Sequence, residues 1–294
     1  MSEGRSSRPL PSLRFRRLRA LGLLLALIAV VIGGIHLVRV VADPLVQNAA
    51  VPGPTAGPTQ LSPADSLAAT LAQSKGHLSL AVSDLSTGAT AQYGNADAAF
   101  ATASIVKVNI VAALLWQRDG ELTKRQRALA GQMIGSSSNA AASALWREIG
   151  KAKGLQRANE RFGLTETVGG RAGYWGSTTT SATDQLQLLR VIFTDDSPLD
   201  AASRRYLAGL MGQVADDQDW GITAADTRTG DLFQVKNGWL PRSSGWVVNS
   251  IGSVEHEGHP LLIVALSDRA RSKESGVKLV ERAARDAARV VTGS

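Results

Sequence analysis

Ser104-Ile105-Val106-Lys107 places a hydroxyl and an amine three residues apart. In a helix, positions i and i+3 share a face, so the amine can reach the hydroxyl. A serine hydroxyl is a poor nucleophile at neutral pH until a base takes its proton. A lysine can be that base where burial or a second cation lowers its pKa. The apolar stretch Ile105–Gln117, ended by Gly120, predicts a helix with Ser104 at its N-terminus. The free N–H groups and partial positive charge there favour an alkoxide and can supply half of an oxyanion hole. The chemistry this allows is acyl transfer through a serine ester. On its own the pair reads more simply as an N-cap serine followed by a solvated lysine.

Two later segments change that balance. Met133–Ala142 carries Ser136-Ser137-Ser138-Asn139, and Val235-Lys236-Asn237-Gly238-Trp239 follows a strand-like run. Taken singly, they read as a loop serine cluster, an N-cap asparagine and an edge-strand lysine. Taken with Ser104 and Lys107, they resemble the S-x-x-K, S-x-N and K-T-G elements of the penicillin-recognising serine hydrolases, class A β-lactamases in particular. The order is the family's, with Ser137 lying 33 residues after Ser104 and Lys236 lying 132 after it. The resemblance spans 63–294 and includes Asp219-Trp220-Gly221-Ile222 and Trp246–Val254 around the third element.

The resemblance implies roles. Ser104 attacks an acyl carbonyl and Lys107 receives its proton. Ser137 relays a proton to the leaving nitrogen, and Asn139 holds the substrate's amide side chain. Lys236 attracts the substrate carboxylate and helps keep Lys107 neutral, with Asn237 beside it in the binding strand. Gly238 allows close approach of that strand, and the N–H groups of Ser104 and Trp239 form the oxyanion hole. A β-lactam or a D-alanyl-D-alanine-like peptide is the implied substrate, and no cofactor or metal is expected. The alternative reading is a non-catalytic cell-envelope binding or scaffold domain that keeps a degenerate site.

Three departures from the family pattern bear on mechanism. Ser138 stands where the pattern has Asp, and Asn237 where it has Thr or Ser. The segment from Leu164 to Thr178 is short and glycine-rich and lacks the E-x-x-L-N whose Glu activates the deacylating water. Glu166 sits too early to replace it and reads as a solvated or capping residue. Acylation is therefore expected, with slow deacylation.

The elements that must position these residues follow from periodicity. Ser62-Pro63 is a helix start leading into Ala64–Ser74, and His77–Leu85 with Ala89–Tyr93 reads as a hairpin. Lys124–Ile134, Ala140–Ile149, Gly154–Arg161 and Thr183–Phe193 are helical stretches. Phe233–Val235, Trp246–Val254 and Leu261–Ser267 read as strands, and Lys273–Val291 as a closing amphipathic helix. The expected fold is α/β: an antiparallel sheet gathering strands from both ends of the domain, flanked by helices, with an all-helical insertion between. His256 and His259 are placed in a solvated turn, and Trp116 and Trp146 on apolar helix faces in the core.

The charge lies outside this domain. Seven arginines against Glu3 and Asp43 put +5 of the formal +7 into residues 1–60, leaving +2 for the remainder. A nucleic-acid binder would carry that charge on its folded surface, so that class is excluded. The chain has no cysteine, which excludes disulfides, thiolate catalysis and cysteine-ligated metals. Six arginines precede the apolar run Ala20–Val38, long enough to cross a bilayer as a helix. Residues 1–19 are thus expected as a cytoplasmic tail, 20–39 as a single transmembrane anchor and 40–62 as a Pro/Gly-rich linker. Residues 63–294 are then the exported serine hydrolase domain. Cleavage after Ala42, releasing the domain, is the alternative.

Overall fold

A computed structural model of the chain describes residues 62–294, apart from 76, 171–172 and 229–231. The expected basic tail, membrane segment and all of the linker except Ser62 lie outside the described residues. Among the described residues, no helix is long and apolar enough to cross a membrane.

Helix α1 (Pro63–Ser74) begins where the sequence signals it. Ser62 Oγ accepts the Asp65 N–H at 3.2 Å, and Pro63 occupies the first turn, where its missing N–H costs nothing. Strands β1 (Leu78–Asp84) and β2 (Thr90–Gly94) form the expected hairpin. After the two-residue strand β3 (Phe100–Ala101), a 3-10 turn over Ala103–Ile105 leads into α2 (Val106–Gln117). The helical block continues with α3 (Lys124–Gly135), α4 (Asn139–Glu148) and α5 (Lys151–Phe162). The short strand β4 (Thr179–Thr180) then pairs with β3, ahead of α6 (Ala182–Phe193) and α7 (Ala201–Met211). The chain closes with β5 (Gln234–Arg242), β6 (Gly245–His256), β7 (His259–Ala270) and α8 (Lys273–Thr292).

The main sheet has the order β2-β1-β7-β6-β5 and is antiparallel throughout, so β1 and β7 from opposite ends of the domain lie side by side. Period-two alternation then builds two cores. Along β7, Leu262, Val264 and Leu266 enter the core shared with the helical block, while Leu261, Ile263 and Ala265 enter the one under α8. With both faces covered, β1 is buried at all seven positions, Ser79 and Ser83 included. Helix α2 lies inside the block, and its residues from Val106 to Leu115 are all buried. A helix that is apolar nearly all round is a core helix, so a lysine at position 107 is held away from water by its neighbours.

Several elements differ from the expectation. Helix α7 was not expected: Leu207 and Met211 enter the core with Tyr206 and Leu210 packed beside them, and Asp200 Oδ1 caps the helix by accepting the Ala202 and Ser203 N–H groups at 2.8 and 2.9 Å. Strand β5 continues well past Val235 and runs through Pro241, which an edge strand tolerates because one side of it needs no ladder bond. The histidine turn is exposed at Glu257 and Gly258, but the two histidines beside it are held by the protein. Only Glu257 and Gly258, at φ 49° and 85°, make the turn, and the residues on either side already belong to the ladder. His256 is buried and its Nδ1 donates to the Ala225 carbonyl at 2.7 Å, while His259 Nδ1 lies 2.8 Å from Asp84 Oδ2. Trp146 is fully buried, and Trp116 packs edge-on against Phe162 at 6.3 Å.

Candidate active site

Ser104 does not cap α2. It is the middle residue of the 3-10 turn, and Ala103 before it is held at φ 48°, a region costly for a residue with a Cβ. Surrounding bonds impose this geometry. The Thr102 N–H reaches the Thr178 carbonyl at 2.8 Å, and the Ile105 N–H reaches the Thr102 carbonyl at 3.3 Å. Asn249, buried on β6, donates Nδ2 to the Ala101 and Thr102 carbonyls at 2.8 and 3.1 Å. The sheet thus fixes the Ser104 turn through a side chain that sequence reading passed over. Its signal was a lone amide among the apolar residues of Trp246–Val254.

Lys107 is 0% exposed, and its Nζ lies within hydrogen-bonding distance of four oxygens. These are Ser104 Oγ at 2.9 Å, the Ser137 carbonyl at 2.7 Å, Ser137 Oγ at 3.0 Å and Asn139 Oδ1 at 2.9 Å. Burial lowers its pKa to about 8. A neutral amine has two N–H groups and one lone pair. The Ser137 carbonyl and Asn139 Oδ1 can only accept, so they take the two N–H groups. The lone pair is left to a hydroxyl, Ser104 or Ser137, which must then donate. That is the arrangement of a base beside its nucleophile.

Both oxygens of Ser137 reach the amine because its backbone is left-handed, at φ 54°. Ser138 is the N-cap of α4, accepting the Ala141 N–H at 3.3 Å. Serine and aspartate cap equally well, so this departure leaves the helix start intact and delivers Asn139 to the site.

Strand β5 divides its motif between two faces. Lys236 and Gly238 point toward the nucleophile, and a Cβ on Gly238 would lie 2.7 Å from the Ser104 nitrogen and 2.9 Å from that of Ile105. Glycine is therefore what lets the strand sit against the turn. Lys236 is 0% exposed and donates to the Asn237 carbonyl at 3.0 Å. Burial, and then the charge of Lys107, lower its pKa to about 7, against a smaller upward pull from Asp217.

Asn237 and Trp239 send their side chains the other way. Buried Asn237 donates Nδ2 to the Gln218 and Trp220 carbonyls at 2.7 and 2.8 Å, clamping the loop before Gly221. The amide nitrogen of this side chain, which stands where the family pattern has Thr or Ser, is thereby engaged within the protein. The Trp239 ring is 43% exposed, lies 5.8 Å from the Trp246 ring and has Lys273 Nζ 4.8 Å from its centroid.

The segment from Thr165 to Thr178 brings no carboxylate. The Thr165 and Glu166 N–H groups bond the Asp184 carboxylate at 3.2 and 2.9 Å, and the Glu166 side chain is exposed. A 3-10 turn over Trp175–Ser177 instead brings the Trp175 ring within 4.9 Å of Lys107 Nζ, with Nε1 donating to Ser143 Oγ on α4 at 3.1 Å. Among the described residues, no carboxylate hydrogen-bonds Ser104, Lys107 or Ser137. Sequence reading also missed Trp175, whose signal was one of two adjacent rings, Tyr174 and Trp175, in a glycine-rich loop.

Known proteins share this architecture. A β-lactamase from Chitinophaga pinensis superposes with a TM-score of 0.66 at 18% identity, over 78% of this chain and 98% of that one. PBP-A gives 0.67 at 19%, over 81% and 99%. A β-lactamase from Xanthomonas campestris gives 0.64 at 22%, over 79% and 99%. At these identities the likeness is one of fold. No curated protein matches the chain. The model of the β-lactamase enzyme family matches residues 62–128 and 118–291, nearly the whole described domain. By that match the chain belongs to the β-lactamase enzyme family, and it is a serine hydrolase of the β-lactamase and penicillin-binding type.

Proposed function

We propose that the domain acylates itself on Ser104 with β-lactams and D-alanyl-D-alanine-like peptides, and releases the acyl group slowly. The observation that carries this is the buried Lys107 amine, with two acceptor oxygens and two hydroxyls around it. Neutral Lys107 takes the Ser104 proton as Oγ bonds to the acyl carbonyl carbon. The carbon–nitrogen bond then breaks, and the proton passes through the Ser137 hydroxyl to the leaving nitrogen. The Ser104 and Trp239 N–H groups hold the oxyanion, which the close seat of Gly238 permits. Asn139 receives the substrate's amide side chain. A substrate carboxylate pairs with Lys236 and keeps it protonated, and that nearby cation favours the neutral form of Lys107.

Slow release rests on the loop. Deacylation needs a base that positions water, and this loop offers Lys107 an indole ring. A variant of PBP-A, one of the structural relatives, is described as an acyl-enzyme complex with penicillin G. Mass spectrometry after exposure to penicillin is the test, with a single adduct expected on Ser104 and none in Ser104→Ala. An adduct elsewhere would refute the assignment. No adduct at all would favour the binding or scaffold alternative.

We further propose that residues 20–39 anchor the chain and hold the domain outside the cytoplasm, on the strength of the arginine-flanked apolar run. The intact chain should fractionate with membranes, and a mature N-terminus at Asp43 would show cleavage instead.

A further inference from the structure

Trp175 is a group that neither the motifs nor the acylation steps use. Its ring covers Lys107 Nζ at 4.9 Å, and its turn packs against both the turn of Ser104 and α4. The ring does not lie there by chance of loop conformation. Nε1 is tethered to Ser143 Oγ at 3.1 Å, the Ser177 and Thr178 N–H groups bond the Tyr174 and Trp175 carbonyls, each at 3.0 Å, and the Gly170 N–H bonds Thr178 Oγ1 at 3.1 Å. Thr178 in turn holds the nucleophile's turn through the Thr102 N–H at 2.8 Å. The same short segment therefore supports Ser104 and roofs its base.

Hydrolysis of the Ser104 ester requires a water that can reach the acyl carbon while giving a proton to Lys107. The proton must then pass from Lys107 to Ser104 Oγ as the carbon–oxygen bond breaks and the carboxylic acid leaves. On the loop side of Lys107, an indole occupies the space from which such a water would act. An aromatic face attracts a cation but accepts no proton and orients no water for attack. We propose that Trp175 is a positioning residue that sets the lifetime of the acyl-enzyme by excluding water from the loop side of Lys107. This rests on the acylation of Ser104 proposed above.

The test follows the adduct after free reagent is removed, using penicillin and, separately, p-nitrophenyl acetate, whose small acyl group requires no carboxylate recognition. Trp175→Ala should shorten the ester's half-life by at least about 10-fold, a part of the roughly 10²-fold or more that a fully positioned base and its water would supply. Trp175→Phe should keep most of the lifetime, since it retains a ring, and Ser143→Ala should fall between, since it frees the indole. Acylation rates should change by a smaller factor than half-lives in all three. Unchanged half-lives in Trp175→Ala, or equal losses of acylation and deacylation, would overturn the proposal. So would a Phe variant no better than Ala, which tests the idea even if the alanine protein is destabilised. If penicillin labels nothing, the substrate reading fails, while the p-nitrophenyl acetate burst still decides the role of Trp175.

Discussion

Two walls of one site are built to different purposes. The helical wall, from the Ser104 turn through α2 to the start of α4, surrounds Lys107 with four oxygens at 2.7 to 3.0 Å. The loop wall, from Thr165 to Thr178, turns several of its polar groups inward to Asp184 and to itself, and among its described residues it is the Trp175 indole that faces the base. The difference teaches that the two half-reactions of a serine hydrolase are equipped separately. Making the ester requires a base within reach of the hydroxyl, whereas breaking it requires a second path for water. On the function proposed above, this chain keeps groups suited to the first step and places Trp175 where the second would need its water.

The sharpest way to break this comparison is turnover of a chromogenic cephalosporin. One equivalent of colour followed by near silence is expected. Steady turnover at about 10 per second, an ordinary enzyme rate, would show that the loop wall does support hydrolysis. Loss of that turnover in Glu166→Gln would trace it to the exposed carboxylate.

The helical wall is tested by its base. Lys107→Ala should slow acylation by at least about 10²-fold, the usual scale for a lost general base. In the intact protein, acylation should rise with pH and level off above about 8, because only the neutral amine takes the Ser104 proton and burial has brought its pKa down to that value. A flat profile between pH 6 and 9 would count against Lys107. The strand side should oppose this rise for one substrate class only. In the free protein Lys236 loses its charge near pH 7, so affinity for a lactam carboxylate should weaken above that pH, while a lactam ester should not respond.

The smallest effect concerns stability. The Lys236 pKa falls from the ordinary 10.5 to about 7 in the folded protein, where burial disfavours the cation. The unfolded chain binds that proton more readily, so the lysine destabilises the fold fully below about 7, less as pH rises, and not at all above about 10.5. Lys236→Met removes the penalty and should stabilise the domain at pH 6 by on the order of 1 kcal/mol. Denaturant melts at pH 6 and 10 should show the gain shrinking, and an equal gain at both would mean that packing rather than charge is responsible.

Legibility in the sequence followed the range of the interactions. That Ser104, Lys107, Ser137 and Asn139 would lie together was legible, because the resemblance rests on particular residue types at helix-turn and loop positions with local signatures. The helices with strong periodicity or a clear cap were legible for the same reason, and so was the hairpin at the start of the domain. Helix α7 is the exception, since its Asp200 cap and the spacing of Leu207 and Met211 were both present in the sequence and went unread. The short pair β3–β4 was not legible, because two residues carry no period. Asn237 shows the limit within a motif. Its place in the K-x-G element suggested substrate contact, while its side chain donates to the Gln218 and Trp220 carbonyls, 19 and 17 positions earlier.

What the sequence determined by itself is the set of candidate reacting groups and the alternation that buries both faces of a strand such as β7, because both depend on residue type and local spacing. What only the tertiary structure decided is how those groups are tuned. The low pKa of Lys107 comes from helices packed around α2, the seating of Ser104 from Asn249 on a strand 145 positions later, and the roof over the base from Trp175. Desolvation and close approach are properties of neighbours in space, and no local pattern of residues encodes which neighbours those will be.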